Sequence, residues 1–312
     1  MIYSCLRINT ADHERAPMAA TLKDIAAKAG VSISTASDVL SGKDITRRIS
    51  GATSHRVKTI AARLRYRPHI IGRALVGKKT CIVGLITSTI YNSFFPKIIA
   101  GFIDRMEDGG NQVIFSFLDG DKRLMNTVFG EMVARRVDGV AIIGDKISLS
   151  TRPGIPVVKT HGRSGNPFIP WIGVDDHTGM NLVLRHLIKQ GHRNICFARK
   201  EPDRLVGHEI IREGIFSRMM LKQGLQAQAY PLDMMPVFIR KGGTAAICPD
   251  DMLAVELMTR LGGEGIKIPK DFSITGYDDL EIAAVVRPGL TTVRQPSLLY
   301  GQTLAEMLMQ FI

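Results

Sequence analysis

The stretch TLKDIAAKAGVSISTASDVLSGK, residues 21–43, decides how the front of this chain folds. Thr21 is suited to cap a helix, and Asp24, three residues on, can return a hydrogen bond to the cap. Leu22, Ile25, Ala26 and Ala29 then recur at i, i+3, i+4 and i+7, one face of a helix. Gly30 and Val31 make a tight turn. Ser32 caps a second helix with Ala36, Val39 and Leu40 inward, and Ser41-Gly42 ends it. Downstream, Ser50 caps a third helix that carries Val57, Ile60, Ala61 and Leu64 on one face. Three such stripes close a small core of the helix-turn-helix kind. With 36, 39 and 40 inward, Ile33, Ser34, Ser37 and Asp38 face outward near the start of the second helix. In a helix-turn-helix those positions meet base edges in the major groove. The capping hydroxyls and the positive helix end suit phosphates.

Charge points the same way. The 312 residues carry a net charge of +12, and the segment from Thr21 to Lys79 holds most of it. There, six lysines and seven arginines oppose only Asp24, Asp38 and Asp44, a balance of +10. A basic cluster that coincides with a compact helical pattern favours a polyanion as partner.

The segment YRPHIIGRALVGKKT, residues 66–80, follows. Pro68 fits the first turn of a short helix, while Gly72 and Gly77 make that helix marginal in isolation. A segment that folds on DNA is consistent with this composition. Together, residues 21–43 and 66–80 resemble the head and hinge of the lactose-repressor/galactose-repressor (LacI/GalR) family, and the resemblance runs to the last residue. It implies a homodimer that binds double-stranded operator DNA and answers to a small effector: a sugar, sugar acid or purine. It also implies DNA contacts by Ser32, Ile33, Ser34, Thr35, Ser37, Asp38, Tyr66, Arg73 and Leu75. Leu75 would wedge between base steps in the minor groove, where unstacking costs a few kcal/mol; the alternative is a linker residue packed on the core. Asp38 departs from the Arg or His of many relatives. An aspartate can accept from cytosine N4 but cannot donate to guanine, so a different operator preference is expected, unless Asp38 faces solvent without a base contact.

From Cys81 onward, strands and helices alternate. CIVGLIT (81–87), QVIFSFL (112–118), GVAIIG (139–144) and IPVVKTH (155–161) read as buried strands, with helices near 95–108 and 122–136. NICFAR (194–199), TAAICP (244–249) and FSITGYD (272–278) form a second set, with helices near 177–190, 207–223 and 250–262. This is the pattern of doubly wound parallel sheets. The expected architecture is an all-α helix-turn-helix head plus an α/β core of two parallel-sheet subdomains, similar to periplasmic binding proteins. Expected boundaries are a disordered extension at 1–18, with Met18 as an alternative start, a head at 19–65, a hinge at 66–79 and a core at 80–312. Within the core, one subdomain takes 80–174 and 292–312, the other 175–291. Relative to the family the core reads as shortened in three places: between the third and fourth strands, at YPLDMMPVFIRKGG, and after the last helix. An effector-deaf, constitutive DNA-binding dimer is therefore the alternative.

Enzyme motifs are missing. The chain has no G-x-G-x-x-G after the first strand, no G-x-x-x-x-G-K-[ST], no G-x-S-x-G and no H-E-x-x-H. No cofactor or metal is expected. Cys5, Cys81, Cys196 and Cys248 are scattered and read as reduced cytosolic thiols. No apolar run reaches the roughly 18 residues of a membrane span, and residues 1–20 lack a signal-peptide core. Histidines 186 and 192, with Arg193, read as a helix end.

Ligands of such sheets bind beyond the carboxyl ends of the strands. By the resemblance, Phe94 and Phe95 match aromatic pocket positions, with a core or interface role equally open. Asp278 matches a ligand-binding carboxylate able to accept from two hydroxyls. Asp250 lies at the same edge, and its neighbour Asp251 is expected to cap the following helix. Arg204 or Arg212 would supply a cation to the pocket.

Overall fold

The structure is a computed structural model that describes residues 20–42, 47–64, 66, 79–91, 93–119, 121, 123–144, 149, 152–160, 166–200 and 207–312. The expected extension at 1–18, the hinge apart from Tyr66 and Lys79, and Arg204 lie outside the described residues. Two units meet between Lys78 and Lys79.

In the first unit, α1 (Leu22–Ala29), α2 (Ile33–Leu40) and α3 (Gly51–Arg63) form the expected trio. Thr21 and Asp24 complete the capping box, and Gly30 ends α1 at φ 62, a left-handed angle that glycine adopts without strain. Ile25, Ala36, Val39 and Val57 are fully buried together, and each buried Val or Ile contributes about 1.5–3 kcal/mol. Tyr66, expected to open the hinge, packs against this core and donates its backbone N–H to Ala61 at 2.9 Å.

The second unit begins with β1 (Ile82–Thr87), α4 (Phe94–Asp108), β2 (Gln112–Phe117), α5 (Leu124–Ala134), β3 (Gly139–Ile143), β4 (Val157–Thr160) and β5 (Trp171–Ile172). Its strands are all parallel in the order β2-β1-β3-β4-β5. β3 is buried along its whole length, as befits a central strand covered on both faces. The other sheet follows with α6 (Asp176–Lys189), β6 (Ile195–Arg199), α7 (Gly207–Lys222), β7 (Gln228–Pro231), α8 (Met235–Arg240), β8 (Ala245–Ile247), α9 (Asp251–Gly263) and β9 (Ser273–Thr275). Its order is β7-β6-β8-β9, again parallel. After α10 (Glu281–Val285), the chain returns to the first sheet. There α11 (Ser297–Met309) packs Tyr300, Leu304 and Leu308 against Val83, Leu85 and Phe102.

Two strands went unread in the sequence. β5 has only two residues, too few to show a period, and β7 ends in Pro231, which an edge strand tolerates. The segment at YPLDMMPVFIRKGG is a compressed strand-helix unit. β7 pairs with β6, and α8 buries Met235 and Phe238. Between β3 and β4 the described residues include no helix. The histidine and arginine at the end of α6 close it structurally. Arg193 donates to the Ile188 and His192 carbonyls at 2.8 and 2.9 Å, and His192 meets the Thr244 hydroxyl at 3.0 Å.

Candidate nucleic-acid interface and small-molecule site

The first unit presents α2 as the sequence predicts. Ala36 and Val39 are buried, Ser34 and Ser37 are exposed, and Ile33 is 50% exposed. Ser32 accepts from the Thr35 backbone N–H at 3.0 Å, and its hydroxyl lies 2.9 Å from that of Ser34 and 2.8 Å from that of Thr35. A knot of hydroxyls therefore tops the positive end of α2. Such a helix start suits the phosphate backbone, while the exposed face behind it suits base edges. Lys23, Lys28, Arg47, Arg48, Arg56 and Arg63 are exposed on the same unit. Asp38 is the surprise, because its carboxylate stands 3.8 Å from Arg47 Nε, and nothing in the periodicity singled out Arg47. Tyr66 is half-buried, and burial pushes its phenol up. Arg73 and Leu75 lie outside the described residues.

In the second unit, loops at the carboxyl ends of β6, β8 and β9 gather an ionic cluster. Arg212 reaches from α7 and is almost wholly buried. Its Nε donates to Asp176 Oδ1 at 2.8 Å, and its Nη1 to the Pro249 carbonyl at 2.5 Å. Nη1 also stands 3.6 Å from Asp278 Oδ1, and the guanidinium lies over the Tyr277 ring at 3.7 Å. Gln295 donates to Asp278 as well. Beside it, Lys200 Nζ meets Glu209 at 2.8 Å and Asp250 at 3.0 Å.

Burial governs the electrostatics. It pushes the Asp278 carboxyl up to about 7, although Arg212 pulls the other way. Asp251 is raised to about 6 by burial, against hydrogen bonds from Thr292 and the Leu280 backbone. Burial pulls the Lys200 ammonium down, but Asp250 and Glu209 outweigh it and the net shift is upward. Asp278 also sits at φ 113, a left-handed conformation that costs a non-glycine residue about 1–3 kcal/mol and clusters at ligand sites.

Of the six residues predicted to bind an effector, Arg212, Asp250 and Asp278 come together here. Phe94 borders a cavity of about 410 Å³ together with Lys97, Asp278 and Gln295. Phe95 stacks edge-on to Phe94 at 5.3 Å within the hydrophobic core. Arg204 lies outside the described residues. The capping expectation is corrected: Asp250 caps α9, accepting from the Leu253 N–H at 2.7 Å. Asp251 instead accepts from the Leu280 N–H at 2.7 Å and the Thr292 hydroxyl at 2.5 Å, tying the start of α9 to the segments around Leu280 and Thr292. Asp176, Tyr277, Lys200, Glu209 and Gln295 were missed. Each is an ordinary residue in sequence and gains its role only from the neighbours that folding supplies.

His208, Glu209 and Asp250 bring possible metal-ligand atoms within 4.8 Å of one another. The Lys200 ammonium already bridges two of those carboxylates, so the cluster has its own cation.

Residues 21–69 match the family described as bacterial regulatory proteins, lacI family, and residues 184–312 match a periplasmic binding protein-like domain. Among curated proteins, the chain is 26% identical to the HTH-type transcriptional repressor PurR of Aliivibrio fischeri, covering 94% of this chain and 92% of that one. It is 26% identical to catabolite control protein A of Staphylococcus aureus, covering 89% of this chain and 88% of the relative. Among solved structures, the lac repressor dimer bound to operator and the anti-inducer ONPF superposes with a TM-score of 0.81 at 24% identity, covering 93% and 92% of the two chains. A LacI-family regulator from Silicibacter pomeroyi gives 0.73 at 25% identity, with the same coverage.

Proposed function

This chain belongs to the LacI family of bacterial regulatory proteins, and from that premise we propose a cytoplasmic, dimeric transcriptional repressor that binds operator DNA under the control of a small effector. The observation that carries the DNA-binding half is the exposed, serine-capped face of α2 on a strongly basic three-helix unit. The PurR relative is named a transcriptional repressor.

A sensing core is preferred to a merely dimerising one because of the Arg212, Asp176 and Asp278 cluster. These mutually paired groups stand at the carboxyl ends of the strands, where ligands of this fold bind. Polyol hydroxyls can donate to such carboxylates and accept from the guanidinium. Effector binding then shifts the population of DNA-competent dimers by its differential affinity for the two states.

The test is selection of duplexes from a random pool by the full chain, followed by binding of the selected duplex at several salt concentrations. Specific enrichment and a steep fall of log affinity with log salt are expected. Equal binding to selected and random duplexes overturns the reading. Screening sugars, sugar acids and purines for release of the selected duplex tests the sensing half.

A further inference from the structure

Helix α2 has a reading face without a cation. Its eight residues, ISTASDVL, include neither lysine nor arginine, and Asp38 is its one charged group. A carboxylate carried alone into a DNA groove is repelled by the phosphates on both sides. Asp38 is not alone, however. Its Oδ2 stands 3.8 Å from Nε of Arg47, a residue beyond the end of α2 and ahead of the Ser50 cap of α3. The Asp38 side chain keeps only 27% of its exposure, whereas that of Arg47 keeps 66%.

An ion pair this exposed is worth at most about 1 kcal/mol, so stability does not explain it. Orientation does. Asp38 lies four residues after Ser34, on the same side of the helix, and its carboxylate brings a guanidinium from another segment to that side. Arg48 follows at φ 52, a left-handed angle at the approach to α3. An arginine engaged through Nε retains both Nη groups, the fork that reads guanine O6 and N7.

Accordingly, we propose that Arg47 reads guanine in the operator and that Asp38 is its positioning residue rather than a reader of cytosine. The inference rests on the DNA-binding function proposed above.

The experiment is duplex selection with the full chain as wild type, Asp38→Asn, Arg47→Ala, Arg47→Lys and the Asp38→Asn/Arg47→Ala pair. Thermal unfolding of each variant checks that α2 and α3 still fold. The wild type is expected to select guanine at a position where Arg47→Ala and Arg47→Lys show a loss of discrimination of about 10- to 100-fold, the range for one bidentate contact. Asp38→Asn relaxes that same position and no other, and the double variant is no worse than Arg47→Ala, because the two residues act as one unit. The inference is overturned if Asp38→Asn relaxes a cytosine while Arg47→Ala leaves every preference intact. It is equally overturned if Arg47→Ala weakens all duplexes alike and lowers the salt slope by about one, the signature of a phosphate contact. A wild type that selects no sequence overturns the proposed function itself, which separates the two failures.

Discussion

Arg212 Nη1 stands 3.6 Å from Asp278 Oδ1, with both side chains nearly closed to solvent. Burial wins over the nearby cation and leaves Asp278 titrating at about 7. An unfolded aspartate titrates near about 4, so between those values the folded chain holds a proton that the unfolded chain has lost. Stability contributed by this group therefore falls as pH rises from about 4 to about 7. Asp251, at about 6, acts in the same direction over a narrower window. Asp278→Asn is expected to flatten the fall of melting temperature between about pH 4 and about pH 7, relative to wild type. Parallel curves for the two proteins in calorimetry would refute the assignment.

Removing the cation tests the same cluster from the other side. Arg212→Ala strands Asp176 and Asp278, whose side chains keep 12% and 6% of their exposure. Breaking a buried pair in this way costs about 3–5 kcal/mol. Combining it with Asp278→Asn should recover part of that loss. Urea unfolding measures both, and a double variant no more stable than Arg212→Ala argues against the pairing.

Helix α11 approaches α4 closely at Gly101 of α4 and Gly301 of α11. A Cβ on Gly301 would overlap the Ile98 carbonyl oxygen, whereas one on Gly130 of α5 meets nothing. Gly301→Ala is expected to destabilise by about 1–3 kcal/mol, because backbone cannot move aside as a side chain can. Gly130→Ala is expected to stabilise by about 0.5–1 kcal/mol through lost unfolded-state freedom. Thermal denaturation of the two variants should shift in opposite directions.

Strand β2 is a sheet edge, and its Phe115 is 43% exposed. An unpaired sheet edge is a ready template for pairing with another chain, and Phe115 is the residue that tests whether this edge is used. Phe115→Lys is expected to weaken the proposed dimer at least tenfold, if this edge forms its interface and the side chain is worth about 1.4 kcal/mol or more there, with the fold unchanged. Sedimentation across a concentration series reads this, and unaltered association would place the interface elsewhere.

The head was legible because its signals are local. The Thr21-Asp24 box, the Ser32 cap and the Gly30 turn each involve residues within a few positions of one another, and all three form as read. The same holds for β1, β3 and β6, whose apolar runs announce strands covered on both faces. Legibility ended where pairing replaced periodicity. Asp250 and Asp251 are identical in type and adjacent, yet one caps α9 and the other binds the Leu280 N–H and Thr292. No local pattern distinguishes them, because the choice depends on a loop that arrives from elsewhere in the chain.

By itself the sequence determined the three-helix head, its outward serine face and the alternation of strands and helices. Helix caps and burial periods are set within a turn or two of chain. Only the tertiary structure decided that Arg212 joins Asp176 and Asp278, that Lys200 bridges Glu209 and Asp250, and that Asp38 stands 3.8 Å from Arg47. These are contacts between charges on separate segments, whose strength depends on distance and on the water that packing removes.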